Sequence, residues 1–292
     1  MEVADYVMPA PARELQFGTV DGATLTGLFY PTVAPPKAVV VLNGATGVPQ
    51  QFYRAFARWA ARERGVAVLT YDYRDTGLSA AEPVARSTAD MVDWGIADQQ
   101  AARAAARREV PEAPIWIVGH SLGTMLLPNQ DGFEDVTKVV GVASGFVHVS
   151  DHPWPYRGMA LMFWYLIGPF FTGLMGYLPG KRIGFGADLP ARAYWQWRRW
   201  CTSRGFYAAD VGGRLRAAEW PEGRPDVRLL AMADDALIPP HCVARLARAF
   251  GAGEAGPEVI DPQKRGLKKV GHLGLFSRRN SVLWSDVLPV EG

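Results

Sequence analysis

Ser121 sits in GHSLG, between Gly119 and Gly123, directly after the apolar, β-branched run IWIV, and it is the only G-x-S-x-G in the chain. A serine where a buried strand turns at once into a helix is held in a strained conformation. Side chains two positions to either side would meet neighbouring backbone, so glycine is needed at both, and the hydroxyl is pushed clear of the sheet. Such a hydroxyl attacks a carbonyl only when a base takes its proton. The chain has five histidines. His120 adjoins the serine and should face the other side of the turn; His148 and His152 open an aromatic-rich stretch; His241 falls in the first turn of a helix. His272, in KKVGHLGLF between Gly271 and Gly274, lies on a late loop, where the order Ser, Asp, His places the base. The imidazole in turn needs an acid to fix its tautomer. LLAMADDALIPP offers Asp234 and Asp235 at a strand end, and the D-x-x-I-P spacing favours Asp235. The competing reading of Ser121 is a capping serine in a tight strand-to-helix turn.

An attacked carbonyl also needs N–H groups for its developing negative charge. Leu122, after the serine, supplies one. The loop VVVLNGATGVP supplies the other, with Ala45 the first choice and Thr46 the second. NGATG after a strand also invites a nucleotide-binding reading. G-x-G-x-x-G is missing, however, and Asp72 is the nearest acid on the next strand. No G-K-[ST] and no metal-ligand spacing is found, so neither cofactor nor metal is expected.

These groups must be positioned by a frame. ELQFGTV and ATLTGLFYP flank Asp21-Gly22 as a hairpin. KAVVVLNG, VAVLTYDYR, APIWIVGHS and VTKVVGVASG are short continuous apolar runs, suited to strands buried on both faces. PQQFYRAFARWAARERG and DMVDWGIADQQAARAAARREV alternate with them at helical spacing, which implies right-handed crossovers and a mostly parallel sheet. From about 147 to 213 the strand pattern stops and Trp, Phe, Tyr, Gly and Pro take over. It resumes with DVRLLAMADDALIPP, a helix over PPHCVARLARAFG, a last strand and loop in GLKKVGHLGLF, and a closing helix in RRNSVLWSDVLPV. The organisation is therefore an α/β core over 1–146 and 214–292 with a helical cap over 147–213.

Composition narrows the function classes. Charged residues are 21% of the 292, the formal net charge is +2 and half the residues are apolar, which excludes the basic stripe of a nucleic-acid binder. Two cysteines, Cys201 and Cys242, make no disulfide framework and suit free thiols in a reducing cytoplasm. MEVADYVMPAPARE has no secretory-signal pattern. The segment 158–180, GMALMFWYLIGPFFTGLMGYLPG, is charge-free and long enough to span a bilayer. Its glycines and prolines point instead to two short apolar helices broken near Gly168: a lid, with no stable membrane span and at most a weak membrane-surface contact. Trp154, Phe163, Trp164, Tyr165, Phe170 and Phe171 are candidates to line an apolar pocket, and Trp195, Trp197, Arg198, Arg199 and Trp200 form a second, aromatic and basic cluster. Trp154, Trp164, Phe170 and Trp195 are the first choices for substrate contact, with an anionic tail near Arg192, Arg198 or Arg199; the competing reading is that these side chains only pack the cap onto the core.

LNGATG, YDYRDTGLS, GHSLG, DDALIPP and VGHLGLF, in that order and spacing, resemble the α/β-hydrolase fold superfamily. More narrowly, GVPQQFYRAFARWAARERGVAVLTYDYRDTGLS, LPARAYWQWRRWC and GHLGLF resemble a bacterial group of α/β-hydrolases labelled serine aminopeptidase-like or lysophospholipase-like. The resemblance implies Ser121 as nucleophile, Asp235 as acid and His272 as base, acting on a small ester-like acyl substrate. Acyl transfer with the same residues, or a non-catalytic binding scaffold, are the competing functions. Asp75 stands where RG is usual, Thr124 stands where a second glycine often follows, and Pro128 shortens the helix after the serine.

Overall fold

The structure, a computed structural model, describes residues 10–220, 225–251 and 256–290. The leading stretch read for a targeting signal lies largely outside them. The described residues form ten strands: β1 (Arg13–Gly18), β2 (Thr24–Tyr30), β3 (Val39–Asn43), β4 (Ala67–Tyr71), β5 (Ile115–His120), β6 (Val136–Val142), β7 (Tyr177–Leu178), β8 (Leu189–Pro190), β9 (Asp226–Met232) and β10 (Glu258–Ile260). Eight form one sheet in the order β1-β2-β4-β3-β5-β6-β9-β10. The first hairpin is antiparallel and the strands from β4 onward run parallel. Every residue of β3 and β4 is buried, as their unbroken apolar runs require. The helical stretch 50–64 ends at Gly65, whose φ of 65° is the left-handed turn that glycine takes without strain. It packs with the C-terminal segment on one face of the sheet, while the stretch 91–109 and the cap pack on the other.

Two expected elements differ. GLKKVGHLGLF carries no strand; the eighth strand is Glu258–Ile260, upstream of it, and His272 rides on a loop ending in the short helix Gly274–Phe276. The apolar segment forms one continuous helix, Tyr156–Met175, rather than two. Pro169 lacks an N–H and would clash with the carbonyl four residues back, but a wide π turn over Phe163–Ile167 precedes it and absorbs the misfit. The cap lies between β6 and β9 and holds this helix, the β7–β8 ribbon and the helix Ala191–Cys201. It has no separate core: Trp164, Tyr194, Trp200 and Phe206 belong to the same apolar cluster as Met91 and Trp94 of the sheet-flanking helix.

The crossing of the two cap helices is close. A Cβ at Gly168 would lie 2.0 Å from the Tyr194 hydroxyl and 2.5 Å from its ring, and that buried hydroxyl has no hydrogen-bond partner among the described residues. Substitutions at this crossing should therefore move stability in opposite directions. Gly168→Ala is expected to destabilise by about 1–3 kcal/mol through overpacking. Tyr194→Phe, which removes an unpaired buried polar group, should stabilise by about 1 kcal/mol. Urea denaturation of the two variants against the parent checks both signs.

Candidate active site

The strand-to-helix turn after β5 places Ser121 at φ 54°, ψ −114°, between the strand and the one-turn helix Leu122–Met125. Pro128 follows in a separate 3₁₀ turn, so the helix stops after that single turn. A Cβ at Gly119 would stand 2.2 Å from Thr124 Oγ1 and 2.5 Å from the Gly123 carbonyl; one at Gly123 would stand 2.2 Å from the Asn43 carbonyl. Both glycines are thus fixed by contact. Asn43 clamps the turn to β3: its Nδ2 donates to the Gly123 carbonyl at 3.0 Å, and its Oδ1 accepts from the Tyr71 hydroxyl at 2.7 Å. The Ser121 N–H donates to Val142 O at 3.0 Å and the Ser144 hydroxyl donates to Ser121 O. Of the two departures from the superfamily pattern, Thr124 packs beneath the turn against Gly119 and Gly141, and Asp75 adopts the left-handed φ of 60° where glycine is usual.

The two adjacent carboxylates divide their work. Asp235, its side chain fully buried, accepts the N–H groups of Leu237 and Ile238 on Oδ1 at 2.8 and 3.0 Å; its Oδ2 accepts from His272 Nδ1 at 2.8 Å. Asp234 accepts the N–H groups of Val270 and Gly271 at 2.8 and 2.9 Å and so holds the backbone of the histidine loop. With the proton on Nδ1, the neutral His272 ring keeps Nε2 as a proton acceptor. Ser121, Asp235 and His272 line one cavity of about 370 Å³, together with Ala45, Thr46, Tyr156 and Lys269. Among the described residues no hydrogen bond joins Ser121 Oγ to His272; such contacts often close only around substrate.

His120 is fully buried, and both its nitrogens are committed. Nε2 meets the carbonyl of His272 at 2.9 Å, an acceptor, so Nε2 carries the proton. Nδ1 then accepts from the Tyr53 hydroxyl at 2.8 Å, and that same oxygen accepts the Ala45 N–H at 2.9 Å. This chain corrects the choice of Ala45 as an anion donor: its N–H is already used internally. The Thr46 N–H has no acceptor among the described residues, and Thr46 lines both cavities that meet at Ser121. Leu122, at the first position of its helix, likewise has no acceptor for its N–H among them.

The second cavity, about 550 Å³, extends from Ser121 beneath the cap. Met159, Phe163, Ile167 and Phe171, at four-residue spacing on the long helix, form one wall, and Trp164 and Trp197 close it. Among the described residues it contains no carboxylate, lysine or arginine. Trp164 therefore stands where expected, but Trp154, Phe170 and Trp195 do not: each is exposed and outside the cavity. For two of them the helix turn presents a near neighbour instead, Phe171 and Trp197. Phe170 and Phe171 are both candidates from the sequence, and the long helix has no polar face that would choose between them; Trp195 and Trp197 lie on the separate helix Ala191–Cys201, and of these two candidates it is Trp197 that lines the cavity. The expected anionic-tail site also fails. Arg192 reaches toward Asp90, Arg199 pairs with Asp210 and Arg198 donates to the Trp164 carbonyl, all away from the cavity. His152 and Tyr156 are cavity residues not selected from the sequence. His152 Nδ1 donates to Ala236 O at 3.0 Å, and burial lowers its pKa; burial raises that of Tyr156 to about 12.

Residues 39–282 match the family model of the alpha/beta hydrolase family, and the chain belongs to that family. Over 116 residues, 39% of its length, it is 34% identical to polyketide transferase ATR5 of Stachybotrys chlorohalonatus (strain IBT 40285), a match spanning only 38% of that protein. The fold resembles a soluble variant of monoglyceride lipase from Saccharomyces cerevisiae, in complex with a substrate analogue, with a TM-score of 0.63 and 14% identity over 97% of this chain and 96% of that one. It also resembles the Pyrococcus furiosus esterase Pf2001, with a TM-score of 0.56 and 13% identity over 95% and 88%. These two likenesses establish the shared fold.

The buried His120 gives the molecule a pH-dependent stability. Burial first, and the His272 ring second, hold its pKa down at about 3, against 6.5 for the free side chain. The folded state therefore binds the neutral ring, so this contribution is complete above pH 6.5 and is lost as the pH falls toward 3. It changes the unfolding free energy by about 1.4 kcal/mol per pH unit in that window. His120→Gln, which removes the titrating group, should flatten the stability–pH curve by that slope. Urea midpoints across the window measure it, and equal slopes in parent and variant would refute the assignment.

Proposed function

We propose that the chain is a serine hydrolase that cleaves an ester-like bond, ester, thioester or amide, with an apolar acyl group. The observation that carries this reading is the opening of Ser121 and an Asp235-paired His272 onto one cavity, continuous at Ser121 with a charge-free second one. Ser121 Oγ attacks the carbonyl carbon while His272 Nε2 takes its proton. The resulting imidazolium is stabilised by the buried Asp235 carboxylate. The oxyanion forms toward the N–H groups of Leu122 and Thr46. The tetrahedral intermediate then collapses: the carbonyl re-forms, the bond from its carbon to the leaving group breaks, and His272 gives its proton to that group, leaving the acyl group esterified to Ser121. Water enters and attacks the acyl carbon as His272 Nε2 takes its proton; the bond to Ser121 Oγ breaks, the proton returns to Ser121, and the acid is released. No cofactor or metal takes part in this reading. The unpaired, buried Cys201 and Cys242 are consistent with a reducing cytoplasm.

Ser121→Ala and His272→Ala are each expected to lower short-chain aryl-ester turnover by roughly four to six orders of magnitude. Asp235→Asn, which reverses the tautomer, should lose roughly four. A fluorophosphonate should label Ser121 alone. Near-parental turnover in Ser121→Ala removes the proposal. Because Phe171 faces the cavity and Phe170 faces out, Phe171→Ala should shift the preferred acyl length in a panel of aryl esters while Phe170→Ala leaves the profile unchanged.

Acyl transfer is the second reading, favoured by the similarity to a polyketide transferase and by the two cavities that meet at the serine. The first cavity, with Lys269 and His272 in its wall, could then admit an amine or alcohol in place of water. Product analysis with candidate acceptors present separates acid from conjugate.

A further inference from the structure

The helix Tyr156–Met175 is apolar on every side. Its inner side forms the cavity wall, and its outer side is left bare. Leu166, Phe170 and Leu174 are 65%, 63% and 71% exposed, in a single stripe at four-residue spacing that Met162 begins. Tyr165 flanks the stripe, and Trp154 stands 67% exposed just before the helix starts. A helix apolar all round requires an apolar environment outside as well as inside, and contiguous patches of this kind on a folded protein mark an interaction site.

We propose that this outer face docks onto the surface of an anionic lipid membrane. The charge distribution selects that occupant. From His152 to Ala187 there is no Asp or Glu, while Arg157 stands in the first turn of the helix and Lys181 and Arg182, both exposed, follow its far end on the short turn Gly180–Ile183 beyond β7. Arg198 lies alongside, its guanidinium 5.3 Å from the Tyr165 ring and 5.9 Å from that of Trp195. The nearest acids in sequence are engaged: Asp188 accepts the Lys181 N–H and Asp151 pairs with Arg245. An apolar stripe with aromatic residues and basic ends is the pattern of a helix lying in the plane of a membrane interface. Anionic headgroups attract the basic ends while the acyl boundary takes the apolar stripe. A second copy of the chain fits less well, since two-fold pairing of identical faces sets the Arg157 end of one helix against the Lys181 and Arg182 end of the other, basic group against basic group. The helix docks without spanning. Trp164 is buried on its inner side and Gly168 abuts Tyr194, so insertion across the bilayer would strip the wall from the cavity.

Co-sedimentation with unilamellar vesicles tests this independently of catalysis, with the Ser121→Ala protein used so that no lipid is hydrolysed. Binding is expected to vesicles of phosphatidylcholine with added phosphatidylglycerol, to weaken with phosphatidylcholine alone and to fall as salt is raised. The double variant Leu166→Asp/Leu174→Asp, made in the Ser121→Ala background, should lose binding and, made in the parent, should keep its circular dichroism and its aryl-ester turnover. Lys181→Glu/Arg182→Glu should lose the preference for phosphatidylglycerol. No binding by the Ser121→Ala protein, or binding untouched by either double variant, overturns the proposal. A dimer in sedimentation velocity that Leu166→Asp/Leu174→Asp dissociates, with vesicles unbound, assigns the face to a second copy instead.

Discussion

The left-handed conformation of Ser121 is the constraint around which the rest of the site is arranged. A non-glycine residue at φ 54°, ψ −114° is strained by about 1–3 kcal/mol and persists only where its surroundings over-determine it. Here the strand pairing supplies the Val142 carbonyl to its N–H, and the next strand end supplies the Ser144 hydroxyl to its carbonyl. Gly123 lets β3 come close enough for Asn43 to bond across. Asn43 is in turn held by Tyr71 from β4, so three adjacent parallel strands end in one connected polar cluster. The hydroxyl is placed by the sheet itself, and only secondarily by the short helix that follows.

Two further loops must be held at fixed distances from that hydroxyl, and neither is part of the sheet. His120, inside the same turn, reaches both. Its Nε2 holds the carbonyl of His272, and through Tyr53 its Nδ1 fixes the loop after β3 at Ala45. Asp234 adds a second hold on the histidine loop through the N–H groups of Val270 and Gly271. The loop that presents His272 is thus tied by its backbone on both sides of the residue, which leaves the ring to Asp235. A chain of neutral hydrogen bonds suits this task, since a charged His120 at the same buried position would repel an imidazolium at His272.

The sheet, the strained serine and the preference for Asp235 were legible because each depends on local rules. Continuous β-branched runs define doubly buried strands. Gly119 and Gly123 mark the turn. The D-x-x-I-P spacing reflects the way Asp235 accepts the N–H groups of Leu237 and Ile238 before the helix at Pro240 begins. What was not legible depends on side chains arriving from elsewhere. Nothing in NGATG reveals that Tyr53, eight residues on, folds back to take the Ala45 N–H. The strand Glu258–Ile260 is only three residues long, and the better-patterned GLKKVGHLGLF is spent on the loop that carries His272. In the cap, an amphipathic pattern would have separated the inner from the outer side. The long helix has none, so Phe170 and Phe171 are equivalent by pattern and only the packing turns Phe171 to the cavity; Ala191–Cys201 does carry polar residues, yet its turn puts Trp197 rather than Trp195 in the cavity wall.

The segregation of polar and apolar groups around Ser121 bears on how the proposed chemistry divides between hydrolysis and transfer. Asp235, His272 and the N–H groups of Leu122 and Thr46, the groups the proposal uses, all come from strand ends and their loops, on the side of the smaller cavity. The cap contributes almost only hydrocarbon and aromatic surface to the larger one. An acyl group held beneath the cap leaves the second substrate, whether water or another nucleophile, to approach past Asp234, Lys269 and His272. In the proposed mechanism His272 acts on that incoming group as it acts on the serine, so that proposal assigns the choice of acceptor to the His272 side and acyl preference to the cap. The two specificities are then physically separable, because no residue charged at neutral pH faces the larger cavity among the described residues, and none of the long helix except Tyr156 faces the smaller.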